Sequence, residues 1–251
     1  MKIIATIQAR MGSTRLPGKV LKDICGKPML LWQVERIKKS RLIDDVIIAT
    51  TLSPQDDEIV QFCIENNIKY FRGSEDDVLN RVASLIQKFG IDLHAEFCGD
   101  SPLPDPQLID EFIGYYLKNQ DNFDYVSSSM ETTYPPGQEI TLYRGITLIE
   151  LNEFIERDDV LREHVGYNIT RFPEQYRLAS IKAPEWYYQP EAYLEVDTPK
   201  DLEMMRKLVG YFMEKGIEHF TLSQILDLFQ HQPELIDING NEDRRWKEFR
   251  I

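Results

Sequence analysis

Gln8-Ala9-Arg10-Met11-Gly12-Ser13-Thr14-Arg15-Leu16-Pro17-Gly18-Lys19 follows directly on an apolar run, residues 1–7, that reads as a buried strand. Two glycines, two hydroxyls, two arginines and a lysine share this one loop. Glycine lets a backbone curl so that N–H groups point inward, and the three cations supply the charge a polyphosphate needs. A loop at the carboxyl end of the first strand of an α/β sheet is a customary nucleotide site. The plain alternative is a basic surface turn. The spacing matches neither G-x-x-x-x-G-K-[ST] nor G-x-G-x-x-G, since Val20 follows Lys19 and the glycines stand too far apart. The loop is read as a phosphate loop of another kind.

Outward from it, Gly26-Lys27-Pro28 is a turn, with Pro28 placed in the first turn of a helix over 29–39. Leu30, Leu31, Val34 and Ile37 recur there at helical spacing. Strands are predicted at 45–51, 69–71 and 94–98. A helix opens at 53–58, and another at 73–78 with Ser74 as N-cap and Asp77 three residues on. Strands alternating with helices imply parallel βαβ units, hence an α/β fold. After about residue 122 the pattern changes. Strands are expected at 124–130, 140–143 and 176–183, and a helix over 160–169. The aromatic stretch 186–193 reads as a packed lid or subunit contact. Helices over 200–215 and 221–229 follow, and 237–251 is assigned no structure. The whole, 1–251, reads as one domain with an excursion at 124–193.

The net charge of −13 argues against a nucleic-acid partner, which needs a basic face. Arg10, Arg15, Lys19, Lys22 and Lys27 nevertheless cluster early, as an anionic substrate requires. No apolar run is long enough to span a bilayer, and the first residues make a poor signal segment, so a cytoplasmic protein without membrane association is expected. Cys25, Cys63 and Cys98 form no C-x-x-C pair, which speaks against disulfides and zinc; Cys98 reads as a small core residue.

Two carboxylates stand out. Cys98-Gly99-Asp100-Ser101-Pro102-Leu103 puts Asp100 just past a buried strand, at the same sheet edge as the loop. Leu194-Glu195-Val196-Asp197-Thr198-Pro199-Lys200-Asp201-Leu202 puts Asp197 between a strand end and a helix start. Asp197 caps that helix or faces the site, and Asp201 supports the helix start.

The loop, together with Gly26-Lys27-Pro28-Met29, resembles the signature of the sugar cytidylyltransferases, which activate keto-octulosonic and acylneuraminic acids with CTP. The similarity is greatest to the branch that includes the spore coat polysaccharide protein SpsF. The resemblance implies a three-layer α/β/α core of the nucleotide-diphospho-sugar transferase type, with a mixed, mainly parallel sheet. It also implies a homodimer that transfers CMP from CTP to an acidic sugar or similar small anion, for surface polysaccharide synthesis. Residues Ala9, Arg10, Met11, Gly12, Ser13, Thr14, Arg15 and Lys19 would hold CTP, with Arg10, Arg15, Lys19 and Asp100 catalytic and Ala49, Thr50 and Thr51 under the base. Asp100 and Asp197 would hold Mg²⁺, whose incomplete protein coordination suits a triphosphate. Arg81, in the block 73–81, is a nucleotide contact or a solvated arginine. Gln138 and Glu139, with Glu163 and His164 from Arg162-Glu163-His164-Val165, would face the acceptor; His164 also has a purely structural reading. Near 134–140 the chain departs from the branch, with Pro136 and Glu139 altering the acidic pattern. The alternatives are a glycosyltransferase, which lacks its usual Asp-x-Asp here, and a non-catalytic nucleotide sensor, which the intact motifs disfavour.

Overall fold

The structure, a computed structural model, describes residues 1–244. Strand β1 (Ile3–Gln8) is mainly apolar and buried from Ile3 to Ile7 because both its faces are covered, as expected of a central parallel strand. A loop leads to the short hairpin β2 (Asp23–Ile24) and β3 (Lys27–Pro28), then to α1 (Met29–Ile37). Pro28 is the N-cap of α1 and pairs in the hairpin; it is not inside the first turn as predicted. There follow β4 (Asp45–Thr51), α2 (Asp57–Glu65), β5 (Lys69–Gly73), α3 (Val78–Phe89), β6 (Leu93–Cys98) and α4 (Pro106–Lys118). The α/β alternation is as read. Helix α3 starts later than predicted: Asp77 is its cap, accepting from the Asn80 N–H, while Ser74 Oγ accepts from the Asp77 N–H at 3.0 Å.

The second half adds β7 (Tyr125–Ser127), β8 (Thr141–Arg144), α5 (Gly145–Phe154), α6 (Tyr167–Thr170), β9 (Leu178–Ser180), α7 (Pro199–Glu214), α8 (Leu222–His231) and α9 (Glu234–Asp237). The predicted helix over 160–169 is broken into a 3-10 turn (Val160–Glu163) and α6. At the break the Gly166 N–H donates to Glu96 instead of to a helical carbonyl. Residues 124–193 supply three strands to the main sheet, so most of this excursion is part of the core layers; its exposed aromatics are Phe154, Tyr167, Trp186 and Tyr188.

The seven strands run β5-β4-β1-β6-β8-β7-β9. Strands β5, β4, β1 and β6 are mutually parallel, β8 is antiparallel to β6 and β7, and β7 and β9 are parallel. Side chains alternate between faces, which splits the core in two. Ala5, Ile7, Ile48, Phe97 and Leu142 face a core shared with α1, α4, α7 and α8, whereas Ile4, Ile47, Tyr125 and Tyr143 face one shared with α3 and α5. This is the three-layer arrangement expected. Along the second face the lining grades from apolar to polar toward the carboxyl edge. The registered row Ile4–His94–Tyr143–Tyr125 is followed by Thr6–Glu96–Thr141–Ser127. No described helix is long and apolar enough to cross a membrane.

Candidate active site

The loop after β1 is braced from inside. The Met11 carbonyl accepts from the Ser13 and Gly18 N–H groups at 2.9 and 3.0 Å, so the Ser13 N–H is committed to the loop itself. Of its two glycines only Gly18 occupies the left-handed region (φ 66°), where a side chain is strained. Gly12 is exposed, and a Cβ there would make no contact closer than 3.8 Å. Asp56, fully buried, accepts from the Met11 N–H at 2.7 Å and from both the N–H and hydroxyl of Thr51. It therefore ties the loop after β1 to the end of β4. The sequence reading placed Asp56 only in a helix opening; the signal was the Ser53-Pro54 turn that folds it back under the sheet edge. Ala49, Thr50 and Thr51 are all buried at that edge.

Asp100 and Asp197 come together because their segments are joined: the Val196 N–H donates to the Asp100 carbonyl at 2.7 Å. Thr198, not Asp197, caps α7, in a reciprocal capping box with Asp201. That frees the Asp197 carboxylate for the site. Lys19 Nζ lies 2.7 Å from Asp197 and 3.4 Å from Asp100, and Arg15 bonds the other Asp197 oxygen at 2.7 Å. Burial opposes the Lys19 charge, but the two aspartates outweigh it and hold the ammonium above its ordinary value. The structure thus brings four predicted residues to one point.

Asp201 is a hub. Fully buried, it accepts from the Asp197 and Thr198 N–H groups, from Asn239 at 2.9 Å and from Arg244 at 2.8 Å. Burial disfavours its charge, and Arg244 with the other donors more than compensates, holding its carboxyl below the usual range. Residues 237–244, to which no structure was assigned, therefore pack against the site, and Arg15 also donates to the Asp243 carbonyl. The remainder of that tail, 245–251, lies outside the described residues.

Arg81 is buried, which rules out the solvated reading, and donates to the Ser74 carbonyl at 2.5 Å. Burial, then the nearby Arg10, pull its guanidinium down to about 10. Two arginines near one another favour an anion between them. Arg162 is locked structurally, bidentate on Asp77 at 2.9 Å, and so pins the segment carrying Glu163 and His164 to α3.

Beside Asp100 opens a cavity of about 510 Å³. Glu139, Glu163 and His164 line it, with Gln8, Glu96, Cys98, Thr141, Tyr167 and Glu195. Glu163 reaches back to Arg10 at 3.8 Å. Gln138 does not line it: fully buried, it donates to the Leu103 carbonyl at 2.6 Å and positions the loop after Asp100. Cys98 is not a core residue either. Its side chain is open to the cavity floor, one row beyond Glu96 and next to Gln8. Glu96 and Glu195 were missed because nothing local marks them; pairing of β6 brings Glu96 to the cavity, and the bonds of the Leu194 and Val196 N–H groups to the Pro136 and Asp100 carbonyls bring Glu195.

A profile of the cytidylyltransferase family matches residues 4–239. The chain is 30% identical over 236 residues to the spore coat polysaccharide biosynthesis protein SpsF of Bacillus subtilis, covering 92% of this chain and 95% of that one. It is 36% identical to a 3-deoxy-manno-octulosonate cytidylyltransferase of Geobacter sulfurreducens over 121 residues, 47% of each chain. Among solved structures, a cytidylyltransferase from Leptospira borgpetersenii superposes with a TM-score of 0.88 at 27% identity, covering 97% of this chain and 99% of the other. With its loop, its paired aspartates and its sheet order, the chain belongs to the cytidylyltransferase family and is a CTP-dependent nucleotidyltransferase.

Proposed function

We propose that this protein transfers CMP from CTP to a hydroxyl of a small sugar, releasing pyrophosphate, in the assembly of a surface polysaccharide. The observation that carries the reading is the meeting of Arg15, Lys19, Asp100 and Asp197 at the carboxyl edge of the sheet, beside a sugar-sized cavity. The acceptor oxygen attacks the α-phosphorus in line as pyrophosphate leaves, so the protein's task is positioning and charge neutralisation. Arg10, Arg15 and Lys19 neutralise the departing phosphates. Asp56 keeps the loop in register with the buried edge 49–51, over which the base would lie.

The donor set fits Mg²⁺. Asp100 and Asp197 are hard oxygen ligands that already share one cation, Lys19, and among the described residues no third acidic, His or Cys side chain completes a ready-made metal cage. Such incomplete coordination suits a magnesium ion that takes its remaining ligands from phosphate and water. Bound there, the ion supplies Lewis-acid polarisation of the α-phosphate. A homodimer is part of the reading, supported by the 73% exposed Trp186 and the neighbouring Tyr188; sedimentation of the W186S variant as a monomer would test it.

Thermal stabilisation by CTP, UTP, ATP, GTP and a set of nucleotide sugars, with and without Mg²⁺, tests the reading. A ligand at about 100 times its dissociation constant adds roughly 2.7 kcal/mol. The expected result is a Mg²⁺-dependent shift with CTP alone. A shift with a nucleotide sugar and none with any triphosphate overturns the proposal.

A further inference from the structure

A second cavity, of about 1120 Å³, runs along α4 between the chain that follows α1 and the residues that lead into α8. It shares no lining residue with the cavity beside Asp100. Arg36, Lys39, Arg41 and Lys118 are among its lining residues.

Its wall holds a buried charge without a counter-ion. Arg36 is only 5% exposed, and a guanidinium so placed is ordinarily paired with a carboxylate. Here Nε donates to the Pro104 carbonyl at 3.0 Å and Nη2 to the Phe220 carbonyl at 2.9 Å, while the Phe220 ring lies 4.9 Å away. Among the described residues no carboxylate oxygen comes within 4 Å of Arg36, and its Nη1 makes no hydrogen bond. Burial, opposed only from further off by Asp105, brings the guanidinium down to about 10.

The carboxylates of the cavity are engaged elsewhere or stand in solvent. Asp105 accepts from the Gln107 and Leu222 N–H groups at 2.8 and 2.5 Å. Asp110 accepts from the Ser40 hydroxyl at 2.6 Å and from Arg41 Nε at 3.2 Å, and Glu111 is exposed. Lys39 Nζ lies 2.5 Å from His219 Nδ1, so the heads of Arg36 and Lys39 meet the same short segment, 219–220. Desolvation and then the Arg36 charge lower the Lys39 ammonium, so the two cations work against each other. An anion between them removes both costs. The guanidinium fork matches phosphate oxygens, and a phosphate monoester's charge of about −1.5 to −2 answers two cations.

We propose that this cavity is a second binding site, separate from the one beside Asp100, and that it takes a phosphate group, free or on a small molecule, between Arg36 and Lys39.

NMR of the full chain, without CTP, follows the four histidine imidazoles, with His219 assigned by its loss in His219→Gln. Sodium phosphate and, separately, D-glucose 6-phosphate are added at constant pH and ionic strength. Both are expected to move His219 saturably, whereas sodium chloride leaves it in place. Binding of inorganic phosphate alone assigns the site to the free ion, and binding of both extends it to phosphate esters; either bears the proposal out. Lys39 is exposed, so Lys39→Gln should leave the fold intact and weaken binding about tenfold, the scale of one charge-assisted hydrogen bond. Arg36→Lys, checked by thermal melting, loses the fork and should weaken it further. No saturable movement of His219, movement matched by chloride, movement of His164 in the other cavity without His219, or an affinity unchanged in Lys39→Gln overturns the proposal.

Discussion

On the side of the cleft proposed for the nucleotide, Arg10, Arg15 and Lys19 come from one short loop, whereas on the side proposed for the acceptor Glu96, Glu139, Glu163 and Glu195 come from four segments between residues 96 and 195. The first side is basic and local; the second is acidic and assembled from separate elements of the fold. A local loop is held by a few bonds, those from Met11, Asp56 and the Gly18 turn. The acidic side depends instead on tertiary contacts: the pairing of β6 with β8 brings the segment of Glu139 toward Glu96, Arg162 on Asp77 places Glu163, and the Val196 N–H on the Asp100 carbonyl places Glu195. The aspartates at the seam belong to both sides, and the chain's last described residues secure them.

The strongest way to break this contrast is at the seam. Arg244→Ala leaves Asp201 buried without its cation, a loss of about 3–5 kcal/mol, read by chemical denaturation. Because the Asp201 carboxyl is held below its ordinary value, its contribution is present above the unfolded pKa of about 4 and lost as pH falls through the depressed folded one. The wild-type advantage over R244A should therefore shrink below about pH 4. Asp100→Asn is expected to cost on the order of 10²–10³ in kcat at saturating Mg²⁺ with little change in melting temperature. Near-normal turnover would remove Asp100 from the proposed metal site.

Asp56→Ala sharpens the claim that the nucleotide side stands on few supports. It leaves the Met11 and Thr51 N–H groups without their acceptor, about 1–3 kcal/mol for each if both stay buried, and should raise KM for CTP more than it lowers kcat. His94 probes the floor of the other side. Burial holds its imidazole down to about 3, so it stays neutral in the fold while the unfolded chain protonates near 6.5. Stability is full above that value and is lost as pH falls, by about 2 kcal/mol at pH 5 from this group. A His94→Gln variant should lack this slope between pH 6.5 and 5. The smallest effect belongs to the rim: Glu163→Gln breaks an exposed pair with Arg10 and should change stability by less than about 1 kcal/mol.

The parallel half was legible because its signals are local. Asp45–Thr51 is a strand as read, since a continuous apolar run bounded by turn residues has few other ways to be buried. The helix over 160–169 was misread because its periodicity carries no trace of Glu96, some seventy positions earlier, which draws off the Gly166 N–H. Asp197 was ambiguous between cap and site, and the Thr198–Asp201 capping box resolved it. Gln138 was assigned to the acceptor from its place in a motif, yet its amide is spent on the Leu103 carbonyl.

By itself the sequence determined the α/β alternation, the cationic loop and the position of Asp100 at the end of a strand, because each is written in residues that are neighbours along the chain. Tertiary structure alone decided that Asp197 joins Asp100, which carboxylates share the cavity beside them, that Cys98 is open to it, and that residues 237–244 return to bury Arg244 against Asp201. The physical reason is that strand register and the pairing of buried charges are set by contacts between distant residues, whose energies no local pattern of side chains records.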